Sequence, residues 1–353
     1  MLENMRDGEV NLMSKRVVTF GEIMLRLSPS GYLRFTQANS FDVVYGGGEA
    51  NVAVSLANFG IDAAFVTRLP KNPIGDAAIN ELRRYGVDTR YIARGGSRIG
   101  IYFMEKGASV RPSMVVYDRA HSAISEAKVG DIDWKAAFEG AQWFHFTGIT
   151  PALGDNVAEL LAEGCRIAKQ MGLTVSCDLN YRKKLWSTEK AGRVMGNLMQ
   201  YVDVVIANEE DAEKVFGIKA PDSDVISGEL NLEGYKYVAR ELHSRSNLKM
   251  VAITLRESLS ASDNNWSGML YDGREYYFSK KYKLHIVDRV GGGDSFGAGL
   301  IYSLVTGKDP QYALEFAVAA SALKHTIEGD ANHVSVEEVE TLMKGDASGR
   351  VQR

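Results

Sequence analysis

The chain has 353 residues, 45% of them apolar, a formal net charge of −4 and two cysteines. That much apolar material can bury a sizeable core, as one large domain or two smaller ones, and excludes a disordered chain. A slightly acidic balance without a long basic run sets nucleic acid aside as the main partner, because neutralising its phosphates takes clustered Lys and Arg.

The first fifteen residues mix charged and polar side chains and lack the apolar stretch of a secretory leader. They are expected to form a flexible extension, 1–15, with Met13 as an alternative start, on a soluble cytoplasmic protein. No apolar run approaches the roughly 20 residues of a membrane-spanning helix. From Arg16 onward short apolar runs alternate with amphipathic stretches, the pattern of βα units around a mostly parallel sheet. Strands are expected at 17–20, 63–67, 143–147, 173–178, 202–206 and 250–254, each running into polar or glycine-rich residues. Ligands of such a sheet bind at those carboxyl ends.

Two early segments, 25–45 and 98–118, instead alternate aromatic and β-branched residues with polar ones. They read as antiparallel strands that pair into a small separate sheet covering the main body, a lid for chemistry that must exclude water. Val157, Leu160, Leu161, Cys165 and Ala168 recur at helical spacing, as do Ala313, Phe316, Ala317, Ala320 and Leu323. The second of these helices has a start signal in Asp309 as cap and Pro310 in its first turn. Cys165 and Cys177 sit in apolar runs without any C-x-x-C pairing and read as reduced core residues. His121, His145 and His325 lack metal-ligand spacing and read as structural.

The most informative run is 288–296, Asp-Arg-Val-Gly-Gly-Gly-Asp-Ser-Phe, which leads into the helical spacing of Phe296, Leu300 and Leu304. Without side chains such a backbone approaches an anion closely and aims successive N–H groups at it, and the helix dipole adds to the attraction. Asp294 in the first turn would point where a phosphate arrives, placed to take a proton from an attacking hydroxyl. Taken alone, a glycine-rich turn with an ordinary cap looks the same. Neither G-x-x-x-x-G-K-[ST] nor G-x-G-x-x-G occurs, so P-loop and dinucleotide readings lose support. A second glycine cluster, Gly46-Gly47-Gly48, precedes Glu49, Ala50 and Asn51 and an apolar helix at 52–59. It serves either close approach to a polyhydroxyl ligand, with Asn51 as donor and acceptor, or a tight turn.

Together the two glycine motifs resemble those of the ribokinase-like (PfkB) carbohydrate kinases, and the resemblance runs from about residue 17 to 342. It implies a three-layer αβα ribokinase-like sandwich, an α/β fold with a mostly parallel central sheet and a small β-sheet lid. A kinase domain would span 16–345, followed by a C-terminal tail, 346–353. The family's D-x-x-G-A-G-D reads Asp288 to Asp294 here with Gly292 at the usual Ala, and implies Asp294 as base and Gly291, Gly292 and Gly293 as anion hole. Its N-x-x-E, linked to Mg²⁺ through water, falls on Asn208 to Asp211, so Asp211 or neighbouring Glu210 would face the metal. Nucleotide contacts would come from Asn208, Thr254, Gly291 and Gly293, with Arg256 at a position where glycine is usual.

Within the family the chain is most similar to 2-keto-3-deoxygluconate kinases, through 100–103, 117–119 and 178–186. This implies Gly47, Asn51, Tyr102, Tyr117, Arg119, Arg182 and Asp294 as substrate-binding residues and ATP with Mg²⁺ as co-substrate. It leaves open whether a monovalent cation takes part. A planar guanidinium grips a carboxylate with two parallel hydrogen bonds, so two arginines suit a sugar acid better than a neutral sugar. The bland reading pairs each with a nearby acid, Arg119 with Asp118. Rival functions are a kinase for fructose, ribose or a related sugar acid, and a non-catalytic sugar-binding protein. Lids in that family pair across a two-fold axis, which implies a homo-oligomer, a dimer or higher, joined through apolar residues of 25–45.

Overall fold

The computed structural model describes residues 15–220, 232–246 and 248–345. The expected extension over 1–15, Lys15 excepted, and the expected tail over 346–353 lie outside the described residues.

The chain opens with β1 (Arg16–Phe20), β2 (Met24–Ser28) and β3 (Asp42–Gly46), then α1 (Gly48–Asn58) and β4 (Asp62–Val66). Next come β5 (Arg68–Leu69), α2 (Pro73–Arg84), β6 (Ala93–Arg94), β7 (Gly100–Glu105) and β8 (Met114–Asp118). The middle runs α3 (Trp134–Ala137), β9 (Ala141–Thr147), α4 (Asp155–Gln170), β10 (Thr174–Asp178), α5 (Thr188–Met199), β11 (Val204–Ala207), α6 (Glu209–Phe216) and α7 (Leu232–Ser246). The last part holds β12 (Met250–Ser258), β13 (Asp263–Tyr271), β14 (Tyr276–Phe278), β15 (Tyr282–His285), α8 (Gly292–Val305), α9 (Pro310–Lys324) and α10 (Val336–Met343).

The main sheet has the order β14-β13-β12-β11-β10-β9-β1-β4, with β15 also on β13. From β4 to β12 every pairing is parallel. Each expected strand is present, shifted by at most a few residues. The antiparallel edge of β13, β14 and β15 went unpredicted; short turns join these strands, so no helix marks them. Successive residues of β1 feed opposite cores. Val17 packs with Leu56, Leu300 and Phe316 on one side, and Val18 and Phe20 with Phe144, Leu160 and Leu161 on the other. Two covered faces make the three layers. Asp309 caps α9 as expected, its side chain accepting from the Tyr312 amide at 2.9 Å. Cys165 and Cys177 are buried and free. No helix of the described residues is long and apolar enough to cross a membrane.

The lid is a 4-stranded sheet in the order β3-β2-β7-β8. Its outer pairs are antiparallel, but β2 and β7 run parallel, which corrects the expectation of antiparallel strands throughout. Between them the chain crosses through α1, β4 and α2 and re-enters in the same direction; a parallel pair requires such a crossover. One lid face, with Met24, Arg26, Tyr102 and Met104, turns towards the body and is buried. The other carries an apolar row that crosses every strand, Val43, Leu27, Phe103 and Val116 in register.

Candidate active site

α8 is capped by Gly291, whose φ of 79° lies in the left-handed region and where a β-carbon would stand 2.0 Å from the Asp330 carbonyl oxygen. Only glycine meets both demands. At Gly292 a β-carbon would stand 2.4 Å from His325 Cε1, which explains why the usual Ala is missing here: the buried imidazole fills its space. The amides of Gly291, Gly293 and Asp294 have no acceptor among the described residues, whereas Gly292 makes a long bond of 3.4 Å to the Arg289 carbonyl. Gly291 and Gly293 line the cleft, whereas Gly292 is buried. Of the three glycines, Gly291 and Gly293 thus present open amides at the cleft, as does Asp294, whereas the Gly292 amide is partnered.

This loop faces the first glycine cluster. At Gly47 a β-carbon would stand 1.9 Å from the Glu22 carbonyl oxygen, so the chain passes there only as glycine. α1 then carries Asn51, whose Nδ2 donates to Asp294 Oδ2 at 2.7 Å while its Oδ1 accepts from the Gly47 amide at 3.3 Å. Both ends of the amide are thus engaged by protein, and Asn51 fixes the position of the Asp294 carboxylate while still lining the cleft. Enclosure at the cleft floor pushes the Asp294 pKa up to about 6, with Asp330 adding to the rise and Asn51, Arg182 and Lys324 opposing it. A carboxylate poised there accepts a proton near neutrality.

The cleft has a volume of ≈ 350 Å³ and brings together Gly47, Asn51, Tyr102, Tyr117, Arg119, Arg182, Asn208, Asp211, Thr254, Gly291, Gly293 and Asp294. A larger hollow of ≈ 1130 Å³ between β8 and the 181–185 loop shares Tyr117, Arg119, Arg182, Asn208 and Asp211 with it and takes in Glu210. On the lid side Arg119 is held by Glu22, not by Asp118; Asp118 is bound by Arg98 at 2.8 Å. The Arg119 guanidinium also lies 5.2 Å from the Tyr117 ring centre. Arg182 is exposed and forms no ion pair among the described residues. It follows Asn180, which lines the cleft in the left-handed region at φ 39°. The buried Tyr102 hydroxyl donates to Asp330.

At the opposite end Asn208 and Asp211 form a reciprocal cap on α6. Asp211 also accepts from the Tyr181 amide at 2.9 Å, and burial raises its pKa to about 6. Arg256 stacks 5.2 Å from the Trp266 ring centre, its cross-strand partner. His145 is buried against Ser176 Oγ at 2.8 Å and His325 against the Ser321 carbonyl at 2.7 Å; burial lowers them to about 3 and about 4. Both are neutral structural residues.

The buried partners of several residues of this region carried no legible signal. Arg26 donates to Asp330 and to Asp288, each at 2.7 Å, and to Ser28 Oγ at 2.8 Å, all buried. Asp288 further accepts from the amides of Val290 at 3.1 Å and Gly329 at 3.2 Å. Asp178, quoted only as part of a motif, lines the cleft with its pKa raised by burial and by Asp211 and Asp294. Charged residues at such separations reveal their partners only once folded.

The chain matches the profile of the pfkB family carbohydrate kinases over residues 14–336. It is 33% identical to the 2-dehydro-3-deoxygalactonokinase of Haloferax volcanii, covering 96% of this chain and 99% of that one. Identity to the 2-dehydro-3-deoxygluconokinase of Thermoproteus tenax is 28%, over 93% and 94% of the two chains. Among solved structures, the 2-dehydro-3-deoxygluconokinase of Thermotoga maritima is similar with a TM-score of 0.90 at 57% identity, covering 94% of this chain and 98% of that one.

Proposed function

The chain belongs to the pfkB family of carbohydrate kinases, and from that premise we propose that it transfers the γ-phosphoryl group of ATP to 2-keto-3-deoxygluconate, giving the 6-phosphate. The observation that carries the reading is the meeting of Asp294, its holder Asn51 and the open amides of Gly291, Gly293 and Asp294 in one cleft with Arg182. The 57% identity to the Thermotoga maritima enzyme supports the choice of acid. The name of the Haloferax volcanii relative favours the galacto epimer as a second reading.

In the mechanism, Asp294 takes the proton of the acceptor hydroxyl while that oxygen attacks the γ-phosphorus in line, the bond from the γ-phosphorus to the bridging oxygen breaks and ADP leaves, and the loop amides receive the charge gathering on the transferred group. Among the described residues no three acidic, His or Cys side chains come together to hold a metal ion. Mg²⁺ arriving with ATP would offset the charge of the phosphates, and Asp211 or Glu210 would face it through its water shell. The lid would shield the reacting groups from water, which otherwise accepts the phosphoryl group.

A coupled ADP-release assay over 2-keto-3-deoxygluconate, its galacto epimer, gluconate, fructose and ribose tests the reading. Selective turnover of a keto-deoxy acid is expected; preference for a neutral sugar sinks the sugar-acid assignment, and sugar binding without ADP release sinks the kinase. Arg182 is the cleaner of the two clamp candidates because no acid holds it. Arg182→Ala is expected to raise KM for the acid by roughly 10–100-fold, the worth of a hydrogen bond to a charged group, with KM for ATP little changed. An equal rise for both substrates would argue for a phosphate contact instead.

The outward row of Val43, Leu27, Phe103 and Val116 supports a dimer through the lids, since Val43 is 59% and Val116 49% exposed and contiguous apolar surface marks contact sites. Val116→Lys is expected to shift sedimentation towards the monomer; an unchanged species would move the interface elsewhere.

A further inference from the structure

The run that opens α8 carries a cation that the mechanism above does not use. Arg289 lines the cleft together with Thr254, Gly291 and Gly293. Its Nη2 donates to the Ala261 carbonyl at 2.9 Å, the one partner of its guanidinium among the described residues, although the group has five N–H donors. The adjacent acid does not claim it: Asp288 is taken by Arg26 and by the amides of Val290 and Gly329. Arg289 is half-buried, and burial lowers its pKa while Asp288 raises it. A guanidinium partly withdrawn from water, with donors to spare and no carboxylate to meet them, is suited to an anionic ligand.

Two anions would meet in this cleft, the carboxylate of the acid and the phosphates of the nucleotide. Arg119 and Arg182 line both the cleft and the larger hollow beside β8, whereas Arg289 lines the cleft alone, two residues before Gly291. Its place is therefore with the phosphates. The residue that anchors it is itself tied to the lid. The Ala261 amide donates to the Ser109 carbonyl at 2.8 Å, and Ser262 Oγ accepts from the Ser109 amide at 2.9 Å. Ser109 lies in the turn between β7 and β8, so one peptide links the lid tip to the guanidinium.

We propose that Arg289 binds the phosphate tail of the nucleotide, adding a cation to the open amides of the loop, and that the lid tip steadies its anchor at Ala261. The inference rests on the kinase reading and deepens it, by naming a nucleotide residue whose placement depends on the lid.

Arg289→Met removes the charge and keeps most of the stem. Calorimetry with ADP and with adenosine separates the phosphates from the rest of the nucleotide. ADP affinity is expected to fall by roughly 10–100-fold, the worth of a hydrogen bond to a charged group, with adenosine affinity unchanged. KM for ATP should rise by a similar factor and KM for the acid should not. Arg289→Gln keeps a donor for the Ala261 carbonyl and should show the same split; it decides if the methionine variant does not fold. Ser262→Ala, far from the phosphates, should weaken ADP by roughly 2–10-fold through the lost hydrogen bond to the lid tip, again sparing adenosine. Unchanged ADP binding in the Arg289 variants, equal losses for ADP and adenosine, or a loss confined to the acid overturns the proposal, and unchanged ADP binding in Ser262→Ala overturns its lid half. Binding is read without turnover. A chain that binds ADP through Arg289 yet phosphorylates no acceptor therefore sinks the kinase reading and leaves this inference standing.

Discussion

Replacing Asp294 with asparagine is expected to lower kcat by roughly 10²–10⁴, the contribution of a positioned general base, with the fold intact. Asparagine keeps the size and can still meet Asn51, which now donates to Asp294 at 2.7 Å, but it cannot take the proton. Because the pKa of Asp294 sits at about 6, the wild-type pH profile should fall as pH drops through about 6 and level off above it. The same shift has a consequence for stability. A carboxyl whose folded pKa exceeds its unfolded value of 3.8 binds its proton more tightly in the native state. Its contribution is full below the unfolded pKa and is lost as pH rises through the folded one. The ionised base is therefore a burden at neutral pH, and Asp294→Asn should raise Tm there while removing activity. Near-normal turnover, or a lowered Tm, would contradict the assignment.

Replacing Arg26 with methionine is expected to cost roughly 3–5 kcal/mol of stability, the range for removing one partner from a buried ion pair. Arg26 spends its three kinds of N–H group on Ser28, Asp330 and Asp288, and its loss leaves two carboxylates in a place water does not reach. Asp330 also receives the Tyr102 hydroxyl, so one guanidinium ties lid strands β2 and β7 to the phosphate loop and to the turn before α10. Urea unfolding at neutral pH measures the cost, and Arg26→Lys, which keeps the charge but not the fork, should fall between the two. A loss below about 1 kcal/mol would mean that the carboxylates find another cation, and buried Lys324, which interacts electrostatically with both, is a candidate.

What could be read from the sequence was local. The glycines before Asp294 announce a loop that opens a helix, because φ near 79° at Gly291 and a chain packed against Asp330 need a residue without a side chain. Asp309 and Pro310 announce the start of α9, and alternating aromatic residues announce the lid. These signals lie within a few residues of one another, where backbone geometry alone acts. The family motifs extended the reading to Asp294, Arg119 and Arg182, whose cleft the structure assembles.

Other features depended on which distant ends meet. β2 and β7 are parallel because of the crossover between them, and β13 to β15 form an antiparallel edge that no helix marks. Arg119 is adjacent in sequence to Asp118, yet Glu22, 97 residues away, holds it. Asn51 reaches Asp294 across 243 residues and Arg26 reaches Asp330 across 304. Composition and spacing thus determined an α/β chain with a glycine-rich loop opening a helix and a small separate sheet, and the resemblance added the roles expected of Asp294 and its loop. The partner of each charge was decided only by the tertiary structure, because burial removes water as the competing partner and leaves a side chain only the groups that packing brings within reach.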